Sequence, residues 1–286
     1  MNEPDGMLDD DRLLELFERL ALEAGRRILE VRDRGLTTET KSDSSPVTEA
    51  DRAAEIIILT GLRAALPGMP CVAEEEVAAG VVSDTSEDAF ILIDPLDGTR
   101  EFINGKPDFT VNIALVRGGA PVVGTVYAPV RGEVFSGRPG QATMAQIGAD
   151  FSVTERRQIA VRDMPDRPTV VASRSHRTPE TDAFLDSLGD AEICSVGSSL
   201  KFGLLARGEA DLYPRLGRTM EWDTAAGDAV LRAAGGQTLT LDGKPLIYGK
   251  RNQADDADFA NPWFFACSRT CPDLSRLLAA CGGATS

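Results

Sequence analysis

The chain has 286 residues, of which 42% are hydrophobic and 26% charged, and its formal net charge is −15. That length supports one large domain or two closely packed halves, with the composition of an ordinary globular protein. So acidic a chain repels nucleic-acid backbones, and it repels small anions too unless the binding site carries its own positive charge, as a bound divalent cation would supply.

The first residues, Met1-Asn2-Glu3-Pro4-Asp5, are acidic and lack the basic-then-apolar pattern of a signal peptide. Asp9, Asp10 and Asp11 offer caps for a helix whose apolar positions recur at Leu13, Leu14, Phe17, Leu20, Ala21, Ala24, Ile28 and Val31, with Gly35 as its stop. A polar loop over residues 41–46 follows. Thr48 can cap a second helix, with Asp51 at the capping-box position; Pro67-Gly68 ends it near Ala65. No apolar run reaches the roughly 20 residues of a membrane helix, and the best, 53–59, is interrupted by Glu55.

Strands then dominate. Residues 90–94 are short and apolar. Residues 110–116 and 122–128 are rich in β-branched side chains and separated by Gly118-Gly119, the pattern of a hairpin. Residues 132–136 and 142–147 continue an antiparallel series. After Pro165 strands alternate with helices: strand 169–172, helix 179–187, strand 193–196, helix 198–207, strand 211–213, helix 222–234 before Gly235-Gly236, strand 263–266 and helix 272–281. An α+β half, residues 1–155, is thus followed by an α/β half, residues 156–286, with the seam near 150–165.

The strongest local signal is Asp94-Pro95-Leu96-Asp97-Gly98-Thr99 after an apolar strand. Pro95 stiffens the exit and Gly98 permits a tight turn. Hard cations such as Mg²⁺ take oxygen ligands, so Asp94, Asp97 and the Leu96 carbonyl can hold metal, while the N–H groups of Gly98 and Thr99 can cradle a phosphate. Taken alone, the segment also reads as an Asp-rich turn. Three further acidic positions at element ends weigh against that: Glu74-Glu75-Glu76 after a short apolar stretch, Asp51 near the start of the second helix, and Asp223 opening the small-residue run Thr224-Ala225-Ala226-Gly227. Asp223 reads either as a helix cap or as a metal or substrate ligand.

His176 is the single histidine, and no Gly-x-Ser-x-Gly elbow is present, which disfavours Ser-His-Asp chemistry. A water activated by metal needs no histidine base. Asp51 and Thr99 can orient and deprotonate that water. The cysteines, Cys71, Cys194, Cys267, Cys271 and Cys281, are odd in number and irregularly spaced. Cys267 and Cys271 have no second Cys/His pair, so reduced thiols are expected rather than a zinc site, which suits a cytoplasmic protein.

Asp94-Pro95-Leu96-Asp97-Gly98-Thr99 and Trp222-Asp223-Thr224-Ala225-Ala226-Gly227 together resemble the two signatures of the inositol monophosphatase superfamily. Glu74 precedes them as expected, and Lys41, Pro46-Val47-Thr48 and Asp51 match the N-terminal segment of that superfamily. The resemblance implies a layered αβαβα sandwich. It implies metal ligands at Glu74, Asp94, the Leu96 carbonyl, Asp97 and Asp223, with a register error of one among Glu74, Glu75 and Glu76 left open. It implies a water-activating pair, Asp51 and Thr99, two or three Mg²⁺ ions, and lithium sensitivity.

Within the superfamily, Arg100-Glu101-Phe102, Ser173-Arg174-Ser175-His176 and Gly197-Ser198-Ser199-Leu200-Lys201-Phe202 look like the CysQ-type 3′(2′),5′-bisphosphate nucleotidases. That implies hydrolysis of the 3′-phosphate of adenosine 3′,5′-bisphosphate to AMP, a reaction of sulfur metabolism, with the phosphosulfate analogue as a further substrate. A substrate with two phosphates needs a second anion site. Ser198 at a helix start, with Lys201 one turn later, can form one; read blandly, they are a plain N-cap and a surface lysine. His176 can stack on or hydrogen-bond the nucleotide, or be a loop histidine. The expected substrate contacts are Glu74, Leu96, Asp97, Gly98, Thr99, His176, Ser198, Lys201 and Asp223, while Arg215 and Arg218 lie within reach in a polar loop.

Rival readings are a phosphatase of inositol monophosphate, histidinol phosphate or fructose bisphosphate, a noncatalytic nucleotide- or metal-binding module, and a structural calcium-binding protein. The sequence leaves open a monomer or a homodimer, and peripheral membrane association.

Overall fold

The computed structural model describes residues 8–35, 38–40, 46–173 and 177–269. In chain order the elements are α1 (Asp10–Arg34), β1 (Thr38–Thr40), β2 (Pro46–Thr48), α2 (Glu49–Ala65), β3 (Cys71–Ala73), α3 (Glu74–Ala78), β4 (Ala89–Asp97) and α4 (Thr99–Ile103). Then come β5 (Thr110–Arg117), β6 (Ala120–Ala128), β7 (Glu133–Arg138), β8 (Gln141–Ile147), β9 (Val153–Gln158), β10 (Thr169–Ser173), α5 (Pro179–Ser187) and β11 (Glu192–Val196). The last are α6 (Leu200–Ala206), β12 (Leu212–Arg215), β13 (Thr219–Met220), α7 (Glu221–Ala233), β14 (Gln237–Thr240), β15 (Ala260–Asn261) and β16 (Phe264–Cys267).

Two sheets organise these elements. One has seven strands in the order β3-β4-β5-β6-β7-β8-β9, antiparallel except for the β3–β4 pair. The other has five, in the order β11-β10-β12-β16-β14. Side-chain alternation along the strands explains the layering. On β4, Ile91 and Ile93 join one apolar cluster with α1 and α2, while Phe90 and Leu92 point to the opposite face. That opposite face meets α6 and α7, which pack in turn on Tyr213, Phe264 and Ala266 of the second sheet. Phe265 and Cys267 face the other way, with Phe184 and Leu185 of α5. The layers therefore run helix, sheet, helix, sheet, helix, as expected. Both faces of each sheet are covered, which is why the central strands are apolar throughout.

The expected ends of α1 and α2 hold. Asp9 caps α1 by accepting the Arg12 N–H at 2.8 Å, and Gly35 ends it at φ 98°. Thr48 and Asp51 form a capping box at α2. Three expectations change. β4 does not stop at Asp94 but continues through Pro95 to Asp97, because a bulge between Asp94 and Asp97 absorbs the residue that cannot donate to the ladder. α6 begins at Leu200, not Ser198, since Ser198 lies at φ 49°, outside helical space. β9 has no counterpart in the sequence reading; all six of its residues are exposed at a sheet edge, so no apolar alternation marks it. The helix expected over 272–281 lies outside the described residues, as do Cys271 and Cys281. Cys71 and Cys194 are free thiols. Among the described residues no helix is long and apolar enough to cross a membrane.

The central helix α7 approaches the seven-stranded sheet closely. A Cβ on Gly137 of β7 would lie 2.6 Å from Val230 Cα and 3.0 Å from Ala229 O, both backbone atoms of α7. Gly137→Ala must therefore move helix or sheet, and is expected to cost about 1–3 kcal/mol of stability. Urea denaturation checks this; an unchanged midpoint would show that α7 is not pressed against the sheet.

Candidate active site

Four elements end around one space, and each delivers a carboxylate. β4 brings Asp94 and Asp97, the start of α3 brings Glu74, the start of α7 brings Asp223, and the start of α2 brings Asp51. Gly98, at φ 94°, turns the chain from β4 into α4; a side chain there would also crowd Asp108 O at 3.1 Å.

One oxygen of each aspartate is fixed by a main-chain N–H. Asp94 Oδ1 accepts from Leu96 at 3.0 Å, and Asp97 Oδ2 from Ser199 at 2.6 Å. Asp223 Oδ2 accepts from Met220 at 2.9 Å, and Asp51 Oδ2 from Thr48 at 2.8 Å. For Asp223 and Asp51 these bonds are helix caps. Of the sequence alternatives for Asp223, the cap is therefore present, made through Oδ2. Asp51 Oδ1 accepts from Thr99 Oγ1 at 3.1 Å, and the same hydroxyl lies 3.2 Å from Leu96 O. The capping box and the Asp51–Thr99 pair therefore share one carboxylate.

Burial raises the pKa of Asp94 well above the usual carboxylate range, and the nearby charges of Glu74, Asp97 and Asp223 raise it further. Asp223 is pushed up by burial, then by Asp97 and Glu74. Asp97 is pushed up by burial, against the opposing pull of Lys201 and Ser199. Burial also raises Asp51, opposed by its bonds to Thr48 and Thr99. Among the three adjacent glutamates, Glu74 is the one whose charge acts on Asp94 and Asp223. Glu76 pairs with Arg63 at 2.8 Å, and Glu75 gives its N–H to Glu55 at 2.8 Å.

Among the described residues no three acidic, histidine or cysteine side chains are already gathered in a coordinating arrangement. The fit to a hard cation rests on donor chemistry and charge: the candidates are all oxygens, and the carboxylates destabilise one another's ionised forms.

A cavity of about 170 Å³ opens beside Asp97 and Asp223, lined also by Gly98, Ser198, Lys201, Tyr213 and Arg215. Lys201 is not the solvated lysine that its sequence position allows; it is 4% exposed. Its ammonium donates to Ser198 O and lies 5.1 Å from the Tyr213 ring centre. Burial pushes it down to about 8, against the pull of Asp97. Ser198 Oγ and Arg215 Nε are buried without a hydrogen-bond partner among the described residues. Orphaned polar atoms of this kind are costly unless a ligand meets them. A larger cavity, about 390 Å³ along Glu15, Leu22, Arg26 and Phe151, contains none of these groups. His176 and Lys41 lie outside the described residues.

Sequence reasoning missed two supports. Ser199 lies under the carboxylates, bonded to Asp97 and to the Asp223 carbonyl. Glu221, fully buried, accepts from the N–H groups of Gly249 and Lys250 at 2.7 and 2.9 Å and pairs with Lys250 Nζ at 2.7 Å, which anchors the start of α7. Its position two residues before Asp223 was the only signal.

The raised carboxylates link stability to pH. A carboxyl group with a higher pKa in the folded chain holds its proton longer there, so folding loses stability as pH rises through the interval between unfolded and folded values. Glu55, pushed up to about 7 by burial, acts in the same direction. Lys201, pushed down, acts in the opposite direction, but only above about pH 8. In EDTA the melting temperature is thus expected to fall from about pH 5 to pH 7, and Asp223→Asn to flatten the slope. A slope of the opposite sign in the wild type would contradict the convergence of these groups.

Residues 9–264 match the model of the inositol monophosphatase family. The 3′(2′),5′-bisphosphate nucleotidase CysQ of Escherichia coli strain K12 is 44% identical over 254 residues, 88% of this chain and 98% of that protein. The protein of the same name from Buchnera aphidicola is 35% identical, covering 89% and 93%. Among solved structures, CysQ from Bacteroides thetaiotaomicron, described as a bacterial member of the inositol monophosphatase family, superposes with a TM-score of 0.74 at 34% identity, covering 91% of this chain and 98% of that one. The inositol monophosphatase of Anabaena gives 0.69 at 25%, covering 94% and 96%. The chain belongs to the inositol monophosphatase family.

Proposed function

We propose that the chain is a magnesium-dependent 3′(2′),5′-bisphosphate nucleotidase. Its substrate is adenosine 3′,5′-bisphosphate, and its phosphosulfate analogue, from which it releases the 3′-phosphate. The observation that carries this reading is the orphaned Ser198 Oγ and Arg215 Nε beside buried Lys201, in the same cavity as Asp97 and Asp223. Donors and positive charge next to a carboxylate cluster suit a substrate with two separate phosphates, one at the carboxylates and one at the donors. A sugar monophosphate leaves the second set unmet. The activity named for the Escherichia coli relative supports the same reading.

Glu74, Asp94, the Leu96 carbonyl, Asp97 and Asp223 would hold two or three magnesium ions. When bound, magnesium lowers the pKa of water and offsets charge on the phosphoryl and leaving oxygens. The chain itself moves the proton. The attacking water gives a proton to Thr99 Oγ1, whose own proton passes to Asp51 Oδ1 at 3.1 Å. A phosphorus–oxygen bond forms as the bond to the ribose 3′-oxygen breaks, and that oxygen takes a proton from solvent. Thr48 keeps Asp51 oriented through its N–H and its hydroxyl, the latter at 2.7 Å. The second phosphate is held by side chains rather than by the helix start, because α6 is one short helix of seven residues and the Ser199 N–H is already committed to Asp97.

Phosphate release is expected from adenosine 3′,5′-bisphosphate with magnesium and not with EDTA, ahead of inositol 1-phosphate, histidinol phosphate and fructose 1,6-bisphosphate. Asp94→Asn is expected to lower turnover at least about a hundredfold, about 2.7 kcal/mol in the barrier, without loss of folding. Asp51→Asn and Thr99→Ala are expected to lower kcat more than they raise KM. Full magnesium-dependent activity in Asp94→Asn would refute the ligand assignment; faster release from inositol 1-phosphate would refute the substrate.

A further inference from the structure

Ser199 is hydrogen-bonded to three residues around the site, Asp97, Asp223 and Asn112. It is 2% exposed and lies in the turn between β11 and α6. Its N–H donates to Asp97 Oδ2 at 2.6 Å. Its hydroxyl has one proton and two acceptors: Asp223 O at 2.5 Å and Asp97 Oδ2 at 2.9 Å. The hydroxyl oxygen is itself met by Asn112 Nδ2 at 3.0 Å. Asn112 is 1% exposed and stands opposite Asp94 in the β4–β5 ladder. An amide that donates into the hydroxyl oxygen turns the hydroxyl proton away from itself, toward the two aspartates.

We infer that Ser199, oriented by Asn112, is a positioning residue that fixes the separation of Asp97 and Asp223 and so sets the affinity of the site for divalent cations. The two aspartates come from different layers, one from the end of a sheet strand and one from the start of the central helix. Their charges repel. Among the described residues, Ser199 is bonded both to the Asp97 carboxylate and to the Asp223 backbone. Without its hydroxyl, the N–H still holds Asp97, but nothing at this position ties the α7 start to it, and the Asn112 amide loses its acceptor. The pair then relaxes apart in the metal-free chain, and a cation must draw it together again.

This inference rests on the reading that Asp97 and Asp223 hold a cation, and the test separates the two. Full-length, metal-free protein is titrated with Mn²⁺, and the free ion is followed by electron paramagnetic resonance with no substrate present. The wild type is expected to bind. Ser199→Ala is expected to bind about tenfold more weakly, the low end of what loss of an outer-sphere partner does to metal affinity. Asn112→Ala, which leaves the hydroxyl in place but unoriented, is expected to show a smaller loss. The double variant is expected to lose no more than Ser199→Ala alone, because both act through one hydroxyl. Additive losses would mark two separate packing effects and overturn the inference. In turnover, the magnesium concentration for half-maximal rate is expected to rise more than the substrate KM does. Metal-free melting curves report folding, and Asn112→Ala carries the test should Ser199→Ala not fold. A wild type that binds no Mn²⁺ overturns the metal reading and this inference together. Wild-type affinity retained in both single variants overturns the inference alone.

Discussion

Mutual repulsion among buried carboxylates is the constraint on which this molecule depends. Glu74, Asp97 and Asp223 lie close enough to Asp94 to raise its pKa, and Asp97 and Glu74 raise that of Asp223, a cost that the surrounding structure must hold in place. It does so with main chain. Asp94, Asp97, Asp223 and Asp51 each accept one backbone N–H, which fixes the carboxylate and directs its other oxygen elsewhere. Main-chain donors suit this task because they do not change rotamer and cannot titrate. A cation held among them would turn the same repulsion into attraction, so that the cost to the metal-free chain would become affinity in the loaded one.

The layering serves that end. The proposed ligands come from β4 in the first sheet and α7 in the middle layer, so close packing of these layers sets how far apart they can lie. Glycines on the sheet face let α7 lie against it, and Glu221 clamps its first turn to Gly249 and Lys250. The bulge at Pro95 and Leu96 lets two aspartates of one strand reach the same space, where a regular pleat would send residues three apart to opposite faces.

Much of this was legible in the sequence for physical reasons. α1 and α2 carry long apolar stripes and side-chain caps, and the hairpin of β5 and β6 has its glycines where the turn needs them. Asp51, Asp94, Asp97 and Asp223 stood out because acidic residues at element ends are positioned by the element, not by chance contacts. What escaped shares a cause: it depends on three-dimensional closure. The burial of Lys201 against Tyr213 cannot be read from a lysine in a short helix. Ser198 looked like a cap, yet its left-handed backbone instead makes Ser199 the residue that reaches Asp97. Asn112 sits inside an apolar strand, with nothing local to mark it. β9, wholly exposed, offered no period to detect. The strand reads as 90–94, with Pro95 stiffening its exit, because a bulge leaves no trace in composition.

In the proposed reading the carboxylates account for attack on a phosphoryl group, and Ser198, Lys201 and Arg215 account for which molecule carries it. The chemistry and the choice of substrate thus reside in different residues of the proposed site, and the substrate choice is the more specific. It is tested most directly by comparing kcat/KM for adenosine 3′,5′-bisphosphate and adenosine 3′-monophosphate at one magnesium concentration. The two differ only in the phosphate that the orphaned donors would meet. A preference for the bisphosphate of at least about a hundredfold is the expected result, the worth of roughly one charge-assisted hydrogen bond to a buried group. Equal values would contradict the second anion site and leave the chain a phosphatase of some other monoester.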